Sequence, residues 1–320
     1  MPYKHAGEIG DVWKHLPLCE VLKIEKPVRY HESNSAYSGY TISYNPKTEY
    51  GILKILELNN NEFMNSEYYA VLKKNNIDSL RYTGSPGLAM EILSDKAQYF
   101  FHDLEQEALD DVEAFSIGKG LQEHLKVFCG DSIRAFLNKD YLIGEDDFIF
   151  FDPYSPFDKN DADFNFFDIF EKAITARAKT LLWYGYDSLN SQQQIFERLR
   201  NLAKENNVEI WSFDIWLKGM NFHGCEINPG VPGCGLACAY LSNESVAAIK
   251  KYLKFVESCY YYATYCGNET TLLTHINIHP YLLQIYPNNQ YIHYSFRRYC
   301  NNSSCYNIVD MFRILGDSLF

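Results

Sequence analysis

The sequence predicts an α/β protein with a doubly wound, mostly parallel central sheet. Apolar strand-like segments alternate with helix-like segments at least four times between residues 96 and 258. The strand segments are apolar without strict alternation, which is typical of a sheet covered on both faces. The chain has 320 residues and is 47% hydrophobic, so it is long and apolar enough to bury a sizeable core.

The first elements are predicted from spacing and from helix-start signals. Apolar side chains recur at helical spacing over about residues 9–25, with Pro17 inside the helix. A strand is predicted at 28–32, and a loop of small residues follows it. A later helix is predicted to begin with Ser85 as its N-cap and Pro86 as its first residue.

The remaining elements follow in alternation. Strands are predicted at residues 96–103, 125–131, 147–152, 179–188, 208–216 and 235–241, with the last two able to form a hairpin. Helices are predicted at residues 104–118, 133–139, 164–178, 191–206 and 244–258. We therefore expect a main domain over residues 1–262, with a small, mainly helical insertion at about 44–82. Residues 263–320 are expected to form a C-terminal extension.

Charge and composition limit the possible partners. The net charge is −12, which counts against a broad nucleic-acid-binding surface because phosphates are bound by clustered Lys and Arg. No run approaches the roughly 18–20 apolar residues of a membrane span, and no signal-peptide segment is evident, so we expect a cytosolic protein without a membrane partner. No metal site is predicted: there is no Cys-x-x-Cys pair, and His275 and His279 lie in a strand-like segment.

Polar groups follow successive predicted strands, at Glu32–Asn34, Asp103, Asp131–Ser132 and Asp152. Such residues are common at strand ends because they suit turns. However, the carboxyl ends of parallel strands meet at one edge of the sheet, where ligands bind. An acid after the second strand suits ribose hydroxyls, and one after the third suits an adenine amino group. The ordered set indicates a site for S-adenosylmethionine (SAM), since the dinucleotide fingerprint G-x-G-x-x-G is absent.

Several blocks of sequence resemble one family. They are "HAGEIGDVWKH", "GSPGLAMEIL", "FFDPYSPFD", "LLWYGY" and "PGCGLACAYL". Over about residues 5–245 the chain is similar to the bacterial 23S rRNA adenine-N6 methyltransferase family. The resemblance implies a Rossmann-like class I SAM-dependent methyltransferase fold with SAM as cofactor. It also implies RNA as partner and adenine N6 as the methyl acceptor.

The resemblance also implies roles for individual residues. The residues implied to line the SAM pocket are Lys14, His15, Asn34, Ser85, Asp103, Asp131 and Ser132. Asp152 would be the catalytic carboxylate, and it would share the acceptor amino group with the carbonyl of Pro153 while Tyr154 stacks on the base. Such a site works mainly by aligning the acceptor with an activated methyl group. A base in a helix would be flipped into it.

The sequence departs from the family at two places. Its Asp-Pro-Pro-Tyr motif is replaced by Asp152-Pro153-Tyr154-Ser155, and Ala36, Tyr37 and Ser38 replace a glycine-rich loop. Tyr37 is bulky for a loop that approaches a ligand closely. Two alternatives therefore remain beside an RNA methyltransferase. One is a methyltransferase acting on a small-molecule or protein amine, and the other is a non-catalytic binding protein that keeps the fold. The RNA hypothesis requires a basic groove beside Asp152.

Overall fold

The computed structural model describes residues 6–222, 225–226, 230–262, 281–285, 291–294, 298–301 and 304–307. The helices are α1 Ile9–Glu25, α2 Pro46–Thr48, α3 Lys54–Glu57, α4 Asn61–Met64, α5 Glu67–Lys74, α6 Ser85–Leu93, α7 Gln106–Lys119, α8 Ser132–Leu137, α9 Phe166–Thr175, α10 Leu189–Glu205 and α11 Asn243–Cys259. The strands up to β8 are β1 Arg29–Glu32, β2 Gly39–Thr41, β3 Arg81–Thr83, β4 Gln98–Asp103, β5 Leu125–Cys129, β6 Asp147–Phe151, β7 Lys179–Tyr186 and β8 Ile210–Trp216. The others are β9 Met220–Phe222, β10 Cys225–Glu226, β11 Gly233–Ala239, β12 Tyr261–Tyr262, β13 Tyr281–Ile285, β14 Tyr291–Tyr294, β15 Arg298–Asn301 and β16 Ser304–Asn307.

One large sheet organises the molecule, in the order β14-β13-β8-β11-β7-β6-β1-β4-β5. Strands β5, β4, β1, β6 and β7 are parallel neighbours. Strand β11 runs antiparallel between β7 and β8. From β1 the chain continues to β4 and β5 on one side, and it then crosses to β6 on the other side of β1. Because the strand order reverses at β1, a crevice opens at the carboxyl ends of these strands. This topology is a Rossmann-like class I methyltransferase fold, as predicted.

Helices cover both faces of the sheet. One core lies under α1, α6, α7 and α11. The other lies under α8, α9 and α10. Helix α1 is apolar on nearly every side because α5, α6 and α11 surround it. Its polar side chains Asp11, Lys14 and His15 recur at i, i+3 and i+4, so they share one face, which is directed at the crevice.

The segment between β1 and α6 is mainly helical, and α5 packs on α1. Its extent as a separate subdomain stays a prediction. Within the predicted extension 263–320, β13 pairs with β8, and β14 pairs with β13, so described parts of it continue the main sheet. His275 and His279 lie outside the described residues. No described helix is both long and apolar enough to cross a membrane.

Several predicted helix boundaries differ from the structure by one to three residues, and the differences at α6 and α7 have a clear structural reason. Gly84, not Ser85, is the N-cap of α6, so Ser85 lies in the first turn and its hydroxyl is used elsewhere. Helix α7 does not stop at Gly118. It continues to Lys119, and Gly120 ends it with a left-handed conformation at φ 72°. Glycine adopts that conformation without a steric cost, which explains the observed end.

Candidate active site at the carboxyl edge of the sheet

The larger of two adjoining cavities, termed the α1 cavity, has a volume of about 550 Å³. It lies where the first turns of α1 face the ends of β1 and β6. Its lining includes Glu8, Asp11, Lys14, His15, Asn34, Ser35, Ala36, Tyr40, Lys47, Tyr82, Gly84, Ser85, Asp103, Asp152, Tyr154, Trp183, Gly230 and Val231. This volume is within the usual range for small-molecule sites.

The second cavity, termed the α8 cavity, has a volume of about 470 Å³ and lies at the start of α8. Its lining includes Ser33, Asn34, Asp103, Leu104, Gly130, Asp131, Ser132, Arg134, Asp158, Lys159, Asn160, Asp161 and Phe166. Asn34 and Asp103 line both cavities, so the two join at the ends of β1 and β4. Together they form an elongated crevice along the carboxyl edge of the sheet.

The structure brings together nearly all the predicted site residues. The α1 cavity contains Lys14, His15, Asn34, Ser85, Asp103, Asp152 and Tyr154. The α8 cavity adds Asp131 and Ser132. Pro153 lines neither cavity and is buried. The roles of these residues stay predictions, but their convergence on one crevice is a property of the fold.

Asp152 forms the centre of a buried charged cluster. Its Oδ2 lies 2.6 Å from the Nζ of Lys14, which also lies 3.1 Å from the Oδ1 of Asp11. Burial raises the pKa of Asp152 to about 6, although the charge of Lys14 opposes this shift. Burial alone would lower the pKa of Lys14, but the two carboxyl groups outweigh it and raise that pKa above its usual value. Lys14 therefore stays protonated, and Asp152 is the group that titrates.

His15 lines the α1 cavity, and the hydrogen bonds around its ring determine which nitrogen carries the hydrogen. Tyr68 donates a hydrogen bond to the hydroxyl of Tyr82, which lies 2.7 Å from Nδ1 of His15. The hydroxyl hydrogen of Tyr82 is then available to donate to Nδ1. Nδ1 therefore accepts, and the ring hydrogen of His15 lies on Nε2. Nε2 is buried and has no hydrogen-bond partner among the described residues. Burial and the charge of Lys14 lower the pKa of His15 well below its usual value, so His15 offers a neutral donor.

Ser85 contacts the end of β1. Its hydroxyl donates to Oε1 of Glu32, and Tyr30 donates to Oε2 at 3.0 Å. Burial raises the pKa of Glu32 well above its usual range, and the hydroxyl groups only partly offset this. Glu32 therefore ties β1 to the first turn of α6, which fixes Ser85 at the cavity wall.

The loop after β1 is held by hydrogen bonds to two acidic side chains and contains a left-handed residue that is not glycine. Ala36 has φ 51°, and its N–H donates to Oδ2 of Asp103 at 2.8 Å. The N–H and hydroxyl of Ser38 both donate to Oδ2 of Asp111, at 2.8 and 2.6 Å. Tyr37 packs against Tyr40 and lines neither cavity, so its bulk does not fill the crevice.

Asp131 has a structural role at the α8 cavity. Its Oδ1 accepts from the N–H groups of Ile133 and Arg134 and thereby caps α8. Its Oδ2 accepts from the side-chain amide of Asn160 at 2.7 Å. The carboxylate is thus fixed in place, and Asn160 joins the predicted residues as a further polar group in this cavity.

Charge in the crevice is dominated by carboxylates. Each lysine and arginine among the described residues that line the two cavities lies close to an acid. The pairs are Lys14 with Asp152 at 2.6 Å, Lys47 with Glu8 at 3.3 Å, Arg134 with Asp161 at 2.5 Å and Lys159 with Asp163 at 2.8 Å. The described residues therefore do not form the basic groove that an RNA substrate requires.

Sequence reasoning missed several lining residues. Asp11 is one turn from Lys14 on α1, so the i, i+3 spacing was an available signal. Trp183 lies in the middle of β7, and Asn160 lies in a polar loop; nothing in the local pattern distinguishes them from core or surface residues. Both are found only once the topology is known.

Comparisons with known proteins agree with the fold. No family model and no curated protein matches the sequence. Protein LPL1258 from Legionella pneumophila, of family DUF519, is 22% identical; the match covers 79% of this chain and 92% of that one, with a TM-score of 0.57. A SAM-dependent methyltransferase from Agrobacterium tumefaciens is 12% identical, covering 75% and 65%, with a TM-score of 0.42. An O-methyltransferase from Bacillus cereus bound to S-adenosylhomocysteine is 13% identical, covering 71% and 80%, with a TM-score of 0.38. The similarity to protein LPL1258 is a similarity of fold.

Proposed function

We propose that the protein is a SAM-dependent methyltransferase that methylates an exocyclic amine. The observation that carries the proposal is the joined crevice, in which a buried carboxyl group, Asp152, lies at one end and Asp103 lies at the junction with the second cavity. The class I methyltransferase topology of the sheet supports the proposal. The resemblance of the sequence implies adenine N6 in RNA as the acceptor.

The lining residues fit SAM chemically. Ser35 Oγ and His15 Nε2 are buried atoms of residues that line the α1 cavity, and they have no hydrogen-bond partner among the described residues. Such groups indicate a polar ligand because leaving them unsatisfied costs about 1–3 kcal/mol each. In the proposed arrangement, Asp103 would bind the ribose hydroxyls, and Asp131 and Ser132 the adenine end. Lys14, His15, Asn34 and Ser85 would surround the methionine end.

In this mechanism, bound SAM supplies a methyl group already activated by its positively charged sulfur. Asp152 accepts a hydrogen bond from the acceptor amine and orients its lone pair toward the methyl carbon. Transfer of this methyl group to the amine nitrogen would leave S-adenosylhomocysteine as the second product. The methylated nitrogen then loses one proton, which Asp152 accepts.

Calorimetry with S-adenosylhomocysteine tests the cofactor assignment. We expect a dissociation constant of about micromolar order for the full chain. Asp103→Ala and Asp131→Ala should abolish binding, whereas Asp152→Asn should largely keep it and remove methyl transfer. Asp95→Asn, an exposed acid away from both cavities, is the matched control. Absence of binding in the unmodified protein would instead favour the non-catalytic binding protein.

A further inference from the structure

Two buried carboxyl oxygens at the acceptor end of the α1 cavity have no partner. Oδ1 of Asp152 and Oδ2 of Asp11 accept no hydrogen bond from any described residue. The other oxygen of each group contacts the same ammonium, that of Lys14. The side chain of Asp152 is only 9% exposed, so water does not readily replace a missing donor. Both residues line the cavity, so a ligand group with two N–H bonds supplies one donor for each of these oxygens.

Aromatic side chains form the walls beside these acceptors. The ring of Trp183 lies 5.1 Å from the Nζ of Lys14 and lines the cavity together with Tyr154 and Tyr40. The hydroxyl of Tyr154 donates to Asp187 at 2.6 Å, which fixes the ring. Flat aromatic walls favour a planar ligand, because ring stacking adds to the gain from apolar burial.

The charges select against phosphate. Every described lysine or arginine that lines the crevice is already paired with a carboxylate; these cations are Lys14, Lys47, Arg134 and Lys159. A phosphate placed here would meet Glu8, Asp11 and Asp152 without a free cation to offset them. Repulsion between like charges in a partly buried crevice opposes such binding.

The type of amine follows from general acid–base chemistry. An aliphatic amine is protonated at neutral pH and has no lone pair to accept a methyl group until it loses a proton. The amino group of an aromatic amine is neutral, has two N–H bonds and keeps its lone pair. It satisfies both orphaned carboxyl oxygens without a prior proton transfer.

Building on the proposed function, we infer that the methyl acceptor is a small, phosphate-free aromatic amine. We further infer that Asp11 is a second specificity-determining residue beside Asp152. In this arrangement Asp11 takes the place of the Pro153 carbonyl, since Pro153 does not line the cavity, and each carboxyl group accepts one N–H of the amino group.

A methyl-transfer assay with radiolabelled SAM tests this acceptor class. The probes are adenine, adenosine, cytidine and aniline, alongside adenosine and cytidine monophosphates and a short adenine-containing RNA. We expect at least one phosphate-free amine to be labelled, with its phosphorylated counterpart slower by about tenfold or more. Labelling of the RNA at an equal or higher rate would overturn the inference. So would the absence of label in every phosphate-free amine.

Binding of S-adenosylhomocysteine distinguishes a failure of the acceptor inference from a failure of the proposed function. If it binds but the acceptor pattern fails, the inference falls and the proposed function stands. If it does not bind, the proposed function itself falls, and the inference with it. Asp11→Asn should raise the KM for the labelled amine by about tenfold or more while leaving S-adenosylhomocysteine binding within about threefold. Asp95→Asn should change neither; an Asp11→Asn enzyme with an unaltered KM would remove Asp11 from the site.

Discussion

At the scale of single residues, Asp152 and Lys14 form the most informative pair. Their ion pair is formed by a residue that follows β6 and a residue on α1. Because the pair is buried, neither group is exposed to the full screening of water. The sequence resemblance implied only that Lys14 lines the SAM pocket. The structure also shows its ion pair with Asp152. The positive charge of Lys14 partly offsets the burial that raises the pKa of Asp152, the proposed catalytic carboxyl group.

This relation predicts a measurable titration. The carboxyl carbon resonance of Asp152, assigned by its loss in Asp152→Asn, should titrate near pH 6, because burial raises its pKa to about that value. Lys14→Met removes the nearby positive charge that stabilises the carboxylate, so the midpoint should move to higher pH. Lys14→Arg keeps the charge and should move it much less. A midpoint unchanged in Lys14→Met would show that the two groups are not coupled.

The site residues show which signals a sequence contains. Strand-end acids such as Asp103 and Asp152 are visible because an apolar run stops at them, and the parallel topology brings such ends together. Asp131 also lines the crevice, but its hydrogen bonds to Ile133, Arg134 and Asn160 depend on a loop whose path no local pattern specifies. Hydrogen-bond partners are properties of the folded chain.

At the scale of elements, the contact between the β1 loop and α6 determines the shape of the α1 cavity. A Cβ added to Gly84 would lie 2.2 Å from the carbonyl oxygen of Tyr37, which is too close for any real contact. The hydrogen bond from Gly84 N–H to the carbonyl of Ser38, at 2.9 Å, depends on the same approach. Glycine at the N-cap therefore lets the loop and the helix meet.

Gly84→Ala should consequently destabilise the protein by on the order of 2 kcal/mol, since backbone must move to relieve the clash. Thermal unfolding measures the loss, and S-adenosylhomocysteine binding should weaken in the same variant. Gly118→Ala is the matched control: nothing lies within 4 Å of its added Cβ, and it lies inside α7. There the substitution should be neutral or stabilising by up to about 1 kcal/mol. Equal effects at both positions would contradict the close contact.

Element type was predictable, and its fine boundaries were not. The apolar spacing that predicted a helix at 9–25 matches α1 at Ile9–Glu25, because a buried helix needs apolar residues over its whole length. The start of α6 was misplaced by one residue because both Gly84 and Ser85 are good N-caps. Tertiary contact decided between them: the hydroxyl of Ser85 donates to Glu32 and is not available to cap.

At the scale of the whole molecule, the antiparallel strand β11 is held by a buried polar network that crosses three strands. Gly235 on β11 lies between Asp214 on β8 and Tyr184 on β7. The hydroxyl of Tyr184 reaches across to Oδ2 of Asp214 at 2.9 Å, and Ser212 donates to the same oxygen at 2.7 Å. Burial raises the pKa of Asp214 to about 7, and these hydrogen bonds only partly offset it.

Global stability should therefore depend on pH through Asp214. The folded protein keeps the carboxyl proton up to about pH 7, whereas the unfolded chain loses it near pH 4, so the free energy of unfolding falls as pH rises between these values. The slope contributed by this group is at most about 1.4 kcal/mol per pH unit. The side chain of Asp214→Asn does not ionise, so the variant lacks this fall in the free energy of unfolding. Chemical denaturation should therefore show the unmodified protein losing stability relative to the variant from about pH 4 to about pH 7. If the free energies of unfolding of the two proteins changed with pH in parallel, the assignment to Asp214 would be contradicted. Asp95→Asn controls for a general charge effect.

The alternation of strands and helices was sufficient to predict the fold class, but the sheet order was not contained in it. The sequence allowed a hairpin of the last two main strands, and β8 and β11 are indeed antiparallel neighbours. Insertion of β11 between β8 and β7 depends on the energy of the complete sheet, including the Asp214 network. Local propensities do not report that energy.

The position of β11 also sets an order for biosynthesis. Strand β8 has only β11 and β13 as neighbours in the sheet, and both follow it in the chain. Strands β1, β4, β5 and β6 already have one another once residue 151 has left the ribosome. The edge that bears Asp103 and Asp152 can therefore assemble before β11 and β13, the neighbours of β8, have been synthesised.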